Sequence, residues 1–133
     1  MVKDSPNNTA FFDRTYDETV ALLTETRDYV AAGSDRQRVS GVTALSASSE
    51  LFRVTARLSQ VMAWLLVRRA VTAGEIAEVD AVGEDYRLGG HEVCLDSAMH
   101  ADQNLPPKVR SLLDRSYRLY QRVARLDELA ARY

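Results

Sequence analysis

Three side chains that can bind a transition metal lie close together in the sequence. His91, Cys94 and His100 form the pattern H-x-x-C-x5-H. Structural zinc sites use four ligands, usually in two pairs, so Asp96 or Asp102 would have to supply the fourth. The simpler interpretation is a buried thiol beside two solvent-facing imidazoles. We therefore predict no metal site and no cofactor.

The sequence contains none of the short motifs that mark common catalytic sites. It has no G-x-x-x-x-G-K-[ST], no G-x-G-x-x-G, no H-E-x-x-H and no G-x-S-x-G. The adjacent acids Glu84 and Asp85 are more simply explained as a solvated turn than as a catalytic pair. Because an enzyme needs a nucleophile, a base or a metal in a concave site, we predict a binding protein without catalytic residues.

Four arginines follow one flank of the C-terminal segment at spacings of three or four residues. They are Arg115, Arg118, Arg122 and Arg125. One interpretation is a solvated flank that forms ion pairs with Asp17, Glu25 or Asp28. The other is a docking surface for a protein partner. Residues 75–104 carry a net charge of −7, between segments 34–74 and 105–133 at +4 each, so an acidic and a basic surface are both available.

A nucleic-acid interface on this arginine flank is the weaker alternative. The whole chain has a net charge of −2, the neighbouring segment is strongly acidic, and no aromatic residues suited to base stacking are interleaved with the arginines. We keep a small nucleic-acid-associated regulator as the second function hypothesis.

The length and composition are those of one globular domain. The chain has 133 residues, of which 46% are hydrophobic and 27% charged, and we assign residues 1–133 to a single domain with residues 1–10 flexible. Its single cysteine suits a reducing cytoplasm. The longest apolar run, Val61 to Val67, has seven residues, whereas a membrane span needs about 20. We expect a cytoplasmic protein that does not enter a membrane.

Glycine and proline separate three long stretches that are predicted to be helices: Asn7–Ala32, Val42–Ala73 and Lys108–Tyr133. The pattern T-x-x-E at Thr15 and Glu18 suggests a capping box for the first helix. The fold class that follows is all-α, an antiparallel three-helix bundle in up-down-up order.

The third helix shows the clearest core pattern. Leucines recur every seven residues, at Leu105, Leu112, Leu119 and Leu126, and Val109, Ser116, Val123 and Ala130 fill the second heptad position. Between the second and third helices, residues 75–104 form an acidic crossover. We predict a short helical turn near Glu75–Val82, followed by an irregular or extended connection. Ordered links of this length often have a function.

The middle helix is apolar on more than one side. A helical wheel places Val61, Met62, Leu65 and Leu66 on one broad face. The same wheel places Trp64, Val67 and Val71 roughly opposite. Either the crossover covers this second face or a second copy does, and we predict a homodimer interface at these three residues.

Several segments resemble an alphaproteobacterial family, the regulator of CtrA degradation (RcdA) family, long catalogued as a domain of unknown function. They are Phe11–Glu18, Arg57–Leu66, Ala73–Ile76, Tyr86–Gly90 and Ser116–Leu126. The resemblance spans roughly residues 11–130, and the blocks Gln-Val-Met-Ala-Trp-Leu-Leu and Tyr-Arg-Leu-Gly-Gly are its most specific parts.

The resemblance implies a dimeric helical-bundle adaptor without enzymatic activity. Such adaptors help the ClpXP protease select cell-cycle substrates, together with a CpdR-like response regulator and, for some cargo, a PopA-like cyclic-di-GMP effector. We predict two partner-binding regions. One is the crossover segment Tyr86, Arg87, Leu88, Gly89 and Gly90, and the other is the arginine flank from Arg115 to Arg125.

Overall fold

The computed structural model describes residues 6–33, 41–95 and 104–132, with side chains from Ala10 onward. Five α-helices follow one another: α1 (Pro6–Ala32), α2 (Gly41–Thr72), α3 (Glu78–Ala81), α4 (His91–Cys94) and α5 (Pro107–Arg132), with a 3₁₀ turn at Glu84–Tyr86 between α3 and α4. No strand occurs in these ranges. The predicted all-α bundle of three long helices is confirmed, and so is the short helical turn that the sequence places near residues 75–82.

The first helix starts earlier than the capping pattern predicts. Because α1 begins at Pro6, Thr15 lies inside it, and its hydroxyl donates a hydrogen bond to the carbonyl of Phe11, 2.9 Å away. The prediction of a capping box at Thr15 is therefore wrong. Gly33 follows the last turn with a left-handed φ of 61°, a conformation that favours glycine and ends the helix.

Helix α2 is central, because it packs on α5 most extensively and also on α1. The predicted heptad pattern is confirmed at its first three leucines, since Leu105, just before α5, and Leu112 and Leu119 within it are buried in the core. The second heptad position supplies Val109, Ser116 and Val123, which are also buried. The core thus lies between α2 and α5, and α1 packs alongside both helices.

The direction of the last helix differs from the predicted up-down-up order. Arg57 of α2 contacts Leu113 at the start of α5, and Trp64, two turns further along α2, contacts Asp127 near the end of α5. The two helices therefore run parallel to each other. Both run antiparallel to α1, since Glu25 pairs with Arg115 while Glu18 pairs with Arg122.

This parallel arrangement explains the length of the crossover. A short loop can join only antiparallel helices, whereas parallel neighbours need a connection that returns along the length of the bundle. The chain leaves α2 at Thr72 and starts α5 at Pro107, and Pro106 lines the same cavity as Ala47 and Leu51 in the first half of α2. The connection between them, of which residues 73–95 and 104–106 are described, is long enough for that return.

Candidate protein-docking surfaces

The Tyr-Arg-Leu-Gly-Gly segment is held tightly against the bundle. Leu88 is buried in the core, and the hydroxyl of Tyr120 donates a hydrogen bond to the carbonyl of Gly89. Gly90 has a left-handed φ of 76° and precedes the first residue of α4. These contacts give Leu88 and both glycines a structural role. Tyr86, by contrast, is 36% exposed and can contact a partner.

A buried carboxylate fixes the crossover to both long helices of the core. Asp127 accepts hydrogen bonds from Arg87 Nε, at 2.8 Å, and from Trp64 Nε1, at 3.0 Å. Phe12 of α1 packs edge-on against the Trp64 ring, with 5.8 Å between the centroids. One carboxylate therefore joins the crossover, α2 and α5, and Arg87 acts as an internal anchor as well as a surface cation.

The same contacts correct the predicted position of Trp64. The side chain is 3% exposed and is covered within the chain, by α1 and α5 rather than by the crossover that the sequence offered as the alternative to a second copy. The helical wheel is wrong about this residue, because α1 and α5 bracket α2 on adjacent sides and together bury Trp64 as well as Leu65. Val67 and Val71 are half-buried, and Leu66, expected on the core side, is 51% exposed.

A buried arginine that sequence reasoning missed ties the crossover to the core. Arg57 is 1% exposed, and it donates hydrogen bonds to the carbonyls of Cys94, at 2.8 Å, and Leu113, at 2.9 Å, and to Ser116 Oγ, at 3.1 Å. Burial lowers its pKa. A signal is present in the sequence, because Arg57 falls on the buried stripe of α2, one turn after Val54.

Of the predicted metal ligands, His91 and Cys94 lie within the described ranges. The His91 ring packs edge-on against Tyr120, at 5.9 Å, and burial raises the pKa of the Cys94 thiol. Within the described ranges, no three histidine, cysteine or carboxylate side chains are grouped as metal ligands would be. His100, Asp96 and Asp102 lie outside those ranges.

The crossover presents an acidic concave surface, which we term the acidic hollow. It has a volume of about 570 Å³, and its charged lining is Glu75, Asp80, Glu84 and Asp85. Tyr86 lies at the same surface. None of these four carboxylates forms an ion pair with another described residue. The predicted acidic surface is thus a shaped one, with a partly exposed aromatic ring beside its charges.

Two of the four arginines of the flank form ion pairs with α1. Arg115 forms a two-pronged ion pair with Glu25, which also binds Lys108 Nζ at 2.6 Å. Hydrogen bonds from Arg115 and Lys108 lower the pKa of Glu25 to about 2. Arg122 pairs with Glu18 at 2.7 Å. Of the three predicted acidic partners, Glu25 is confirmed.

The other two arginines of the flank face solvent. The Arg118 side chain is 73% exposed and pairs with Asp114 on the same helix, at 3.0 Å. Arg125 is exposed and forms no ion pair with another described residue. The structure therefore separates the flank into a pair of residues that stabilise the bundle and a pair that remains available to a partner.

Large apolar side chains are exposed on α2, at positions that sequence reasoning did not single out. Val42, Leu45 and Phe52 are each more than 70% exposed, and with Leu66 they share one face of the helix. The exposed positions between them are small and uncharged: Ser48, Ser49, Thr55, Ser59 and Ala63. We term this the α2 face. Five of its nine exposed positions are apolar and none is charged, over most of a long helix, and such a surface is typical of an interface.

None of the helices in the described ranges is both long enough and apolar enough to cross a membrane. Over its described parts the bundle has an acidic hollow, exposed arginines and a helix face with exposed large apolar side chains, which are features of a protein that works through contacts with other macromolecules.

Comparison with known proteins identifies the family. The family model described as "Protein of unknown function (DUF1465)" matches residues 4–132, so the chain belongs to this family, the domain family of RcdA. The crystal structure of RcdA from Caulobacter crescentus CB15 is similar to this chain, with 37% sequence identity over 92% of both chains and a TM-score of 0.73. A search of curated proteins found no match.

Proposed function

We propose that this chain is a non-enzymatic adaptor in cell-cycle-controlled proteolysis, which links substrates and partner factors to the ClpXP protease in the cytoplasm. The observation that carries the proposal is the similarity to RcdA over 92% of both chains. Because one fold can host many functions, the surfaces must support the proposal as well. They do so in three places, each suited to a different contact.

The first contact is made by the acidic hollow. Its four carboxylates have no competing ion pairs among the described residues, so a basic partner surface does not have to displace an internal cation. Tyr86 offers an aromatic ring with a polar end, the kind of residue that is enriched at protein interfaces. We assign this surface to a partner with exposed lysine or arginine residues, such as ClpX or a CpdR-like response regulator.

The second contact is made by Arg118 and Arg125 on α5. Both are exposed, and a carboxylate on a partner can replace the weak i,i+4 pair of Arg118 with Asp114. The acidic hollow and these arginines thus select partners of opposite charge, which gives an adaptor a way to hold two proteins at once. Substrates and a PopA-like effector are the candidates for this second surface.

The third contact is a homodimer through the α2 face. Leu45, Phe52, Ser59 and Leu66 follow one another at intervals of seven residues. If two copies pair in antiparallel register about the midpoint of this series, Phe52 of one copy meets Ser59 of the other, and Leu45 meets Leu66. Large side chains then oppose small or apolar ones along the whole seam. We therefore move the proposed dimer contact from Trp64 to the exposed side of the same helix.

Sedimentation velocity on two matched variants tests the dimer. Phe52 and Val79 are both 76% exposed, but Val79 lies on the crossover. Phe52→Glu should yield monomers at concentrations at which the wild type and Val79→Glu are dimeric, because a buried carboxylate at the seam has no partner. An unchanged sedimentation coefficient for Phe52→Glu would place the dimer contact elsewhere.

The ion pairs of the arginine flank count against the nucleic-acid alternative. Arg115 and Arg122 are engaged by α1, which leaves two cations of the flank beside a strongly acidic crossover. Binding to a phosphate backbone requires several free cations on one face.

A pull-down with purified components tests the adaptor role. The immobilised chain should retain ClpX loaded with the response regulator, and the double variant Glu84→Lys/Asp85→Lys should lose most of that retention. Glu128→Lys is the matched control, since Glu128 is exposed at the far end of α5. Failure of the wild type to retain ClpX or any candidate substrate would contradict the proposal.

A further inference from the structure

A second concave surface lies where the three long helices meet, on a different side of α2 from the α2 face. It has a volume of about 490 Å³. Its lining combines the apolar side chains Phe11, Phe12, Trp64 and Leu126 with two arginines, Arg14 and Arg68. We term it the aromatic–arginine pocket. None of its lining residues belongs to the acidic hollow or to the exposed arginines of α5.

The two arginines of this pocket are not neutralised by a direct partner. Neither forms an ion pair with another described residue. Arg14 is exposed. Arg68 is half-buried over the Trp64 ring, 5.2 Å from its centroid, and it donates a hydrogen bond to the carbonyl of Ala81, at 3.1 Å.

The buried carboxylate of Asp127 does not compensate these charges by contact. Asp127 is already bonded to Arg87 and Trp64, and it acts on Arg68 only through space. No carboxylate is among the described residues that line the pocket. The pocket therefore combines partly exposed aromatic rings with two arginines that have no direct ion-pair partner among the described residues, while Asp127 and Glu78 act on Arg68 only through space.

We propose that the aromatic–arginine pocket binds a short peptide segment in which a large apolar side chain lies next to a carboxylate. The apolar side chain packs against Phe11 and Phe12, and the carboxylate accepts charge-assisted hydrogen bonds from Arg14 in the positive field of Arg68. A neutral apolar ligand would leave both cations without a partner. A small anion would leave the aromatic surface uncovered. The proposal goes beyond the adaptor role and does not depend on it.

Fluorescence titration tests this site, because Trp64 is the only tryptophan of the chain and lines the pocket. The probe is acetyl-glycyl-leucyl-phenylalanine with a free carboxylate, and the matched probe is the same peptide with a terminal amide. The carboxylate peptide should change the Trp64 emission and bind about tenfold more tightly than the amide, since one charge-assisted hydrogen bond is lost. Isothermal titration calorimetry measures both affinities independently of the fluorophore.

Two arginine variants locate the binding. Arg14→Gln should weaken the carboxylate peptide about tenfold and leave the amide unchanged, and because Arg14 is exposed the fold is retained. Arg110→Gln removes an exposed arginine outside the pocket and should change neither affinity. Equal binding of the two peptides, no binding of either at millimolar concentration, or an unchanged affinity of Arg14→Gln would each overturn the proposal.

Discussion

Replacement of Gly90 by alanine tests whether the Tyr-Arg-Leu-Gly-Gly segment is a structural clamp. Its φ of 76° lies in the left-handed region, which costs an L-residue roughly 1–2 kcal/mol. A Cβ atom would also lie 3.1 Å from Cys94 Sγ and 3.3 Å from Gln60 Cγ. Because Cys94 is fully buried and has little room to move, crowding adds about 1 kcal/mol, and we expect a total loss of about 2–3 kcal/mol.

Two other glycines separate these contributions. Gly74 has a similar φ of 79°, but a Cβ added there would meet no atom within 4 Å, so Gly74→Ala should cost only the backbone share of roughly 1–2 kcal/mol. The backbone of Gly89 is not in the left-handed region. A Cβ atom added there would approach only the flexible end of Gln60, at 3.0 Å, so Gly89→Ala should cost under about 1 kcal/mol.

Urea denaturation measures all three variants on one scale. With a slope of about 1–3 kcal/mol per molar urea, the Gly90→Ala midpoint should fall by about 0.7–3 M. A Gly90→Ala variant that is no less stable than Gly74→Ala would refute the crowding argument. One within about 0.5 kcal/mol of the wild type would refute the clamp itself.

Three further predictions concern the core and the ion pairs. Asp127→Asn should cost about 1–3 kcal/mol in urea denaturation and shift the emission of Trp64, because it weakens the buried bond from Trp64 and the partly buried bond from Arg87; unchanged emission would contradict the assigned bond from Trp64 to Asp127. Leu119→Ala should cost about 2–5 kcal/mol through its cavity, whereas Leu129→Ala on the same helix, at 48% exposure, should cost far less; equal losses would contradict the assigned core. Glu25 has a pKa of about 2 in the fold, below its ordinary 4.5, so its pairs stabilise the fold above pH 4.5, and this stabilisation is lost as the pH falls toward 2. Glu25→Gln should therefore flatten acid unfolding over that range, and an unchanged profile would contradict the assignment.

The stretches between glycine and proline predict the bounds of the three long helices to within one or two residues, because these residues end helices, whereas the capping pattern at Thr15 misplaces the start of α1. Helix α2 is predicted over Val42–Ala73 and found over Gly41–Thr72. The heptads of α5 predict its buried side equally well. Periodicity describes each helix alone, so it carries no information on whether α5 runs parallel or antiparallel to α2.

The sites are less accessible to sequence reasoning, because they depend on which helices flank a residue. A helical wheel that assumes one neighbouring helix places Trp64 on the exposed side of α2. In the structure α2 packs against two helices, α1 and α5, and Trp64 is buried between them. Conversely, Leu66 looks like a core residue on the same wheel but is 51% exposed, because it lies on the side of α2 that faces neither of these helices. Arg57 escapes prediction since a charged residue in a helix is ordinarily assigned to solvent, whereas here backbone carbonyls of the crossover and α5 accept its hydrogen bonds. Segment charges, by contrast, are additive along the chain, so they predict the acidic surface correctly.

The most direct test of the proposed function is the rate at which ClpXP degrades a candidate cell-cycle substrate in a reconstituted reaction with the response regulator. Addition of the wild-type chain should accelerate degradation at least severalfold, and the chain itself should not be consumed. The Glu84→Lys/Asp85→Lys variant should fail to accelerate it, while Glu128→Lys should act as the wild type does. A degradation rate that is the same with and without the wild-type chain would contradict the adaptor role.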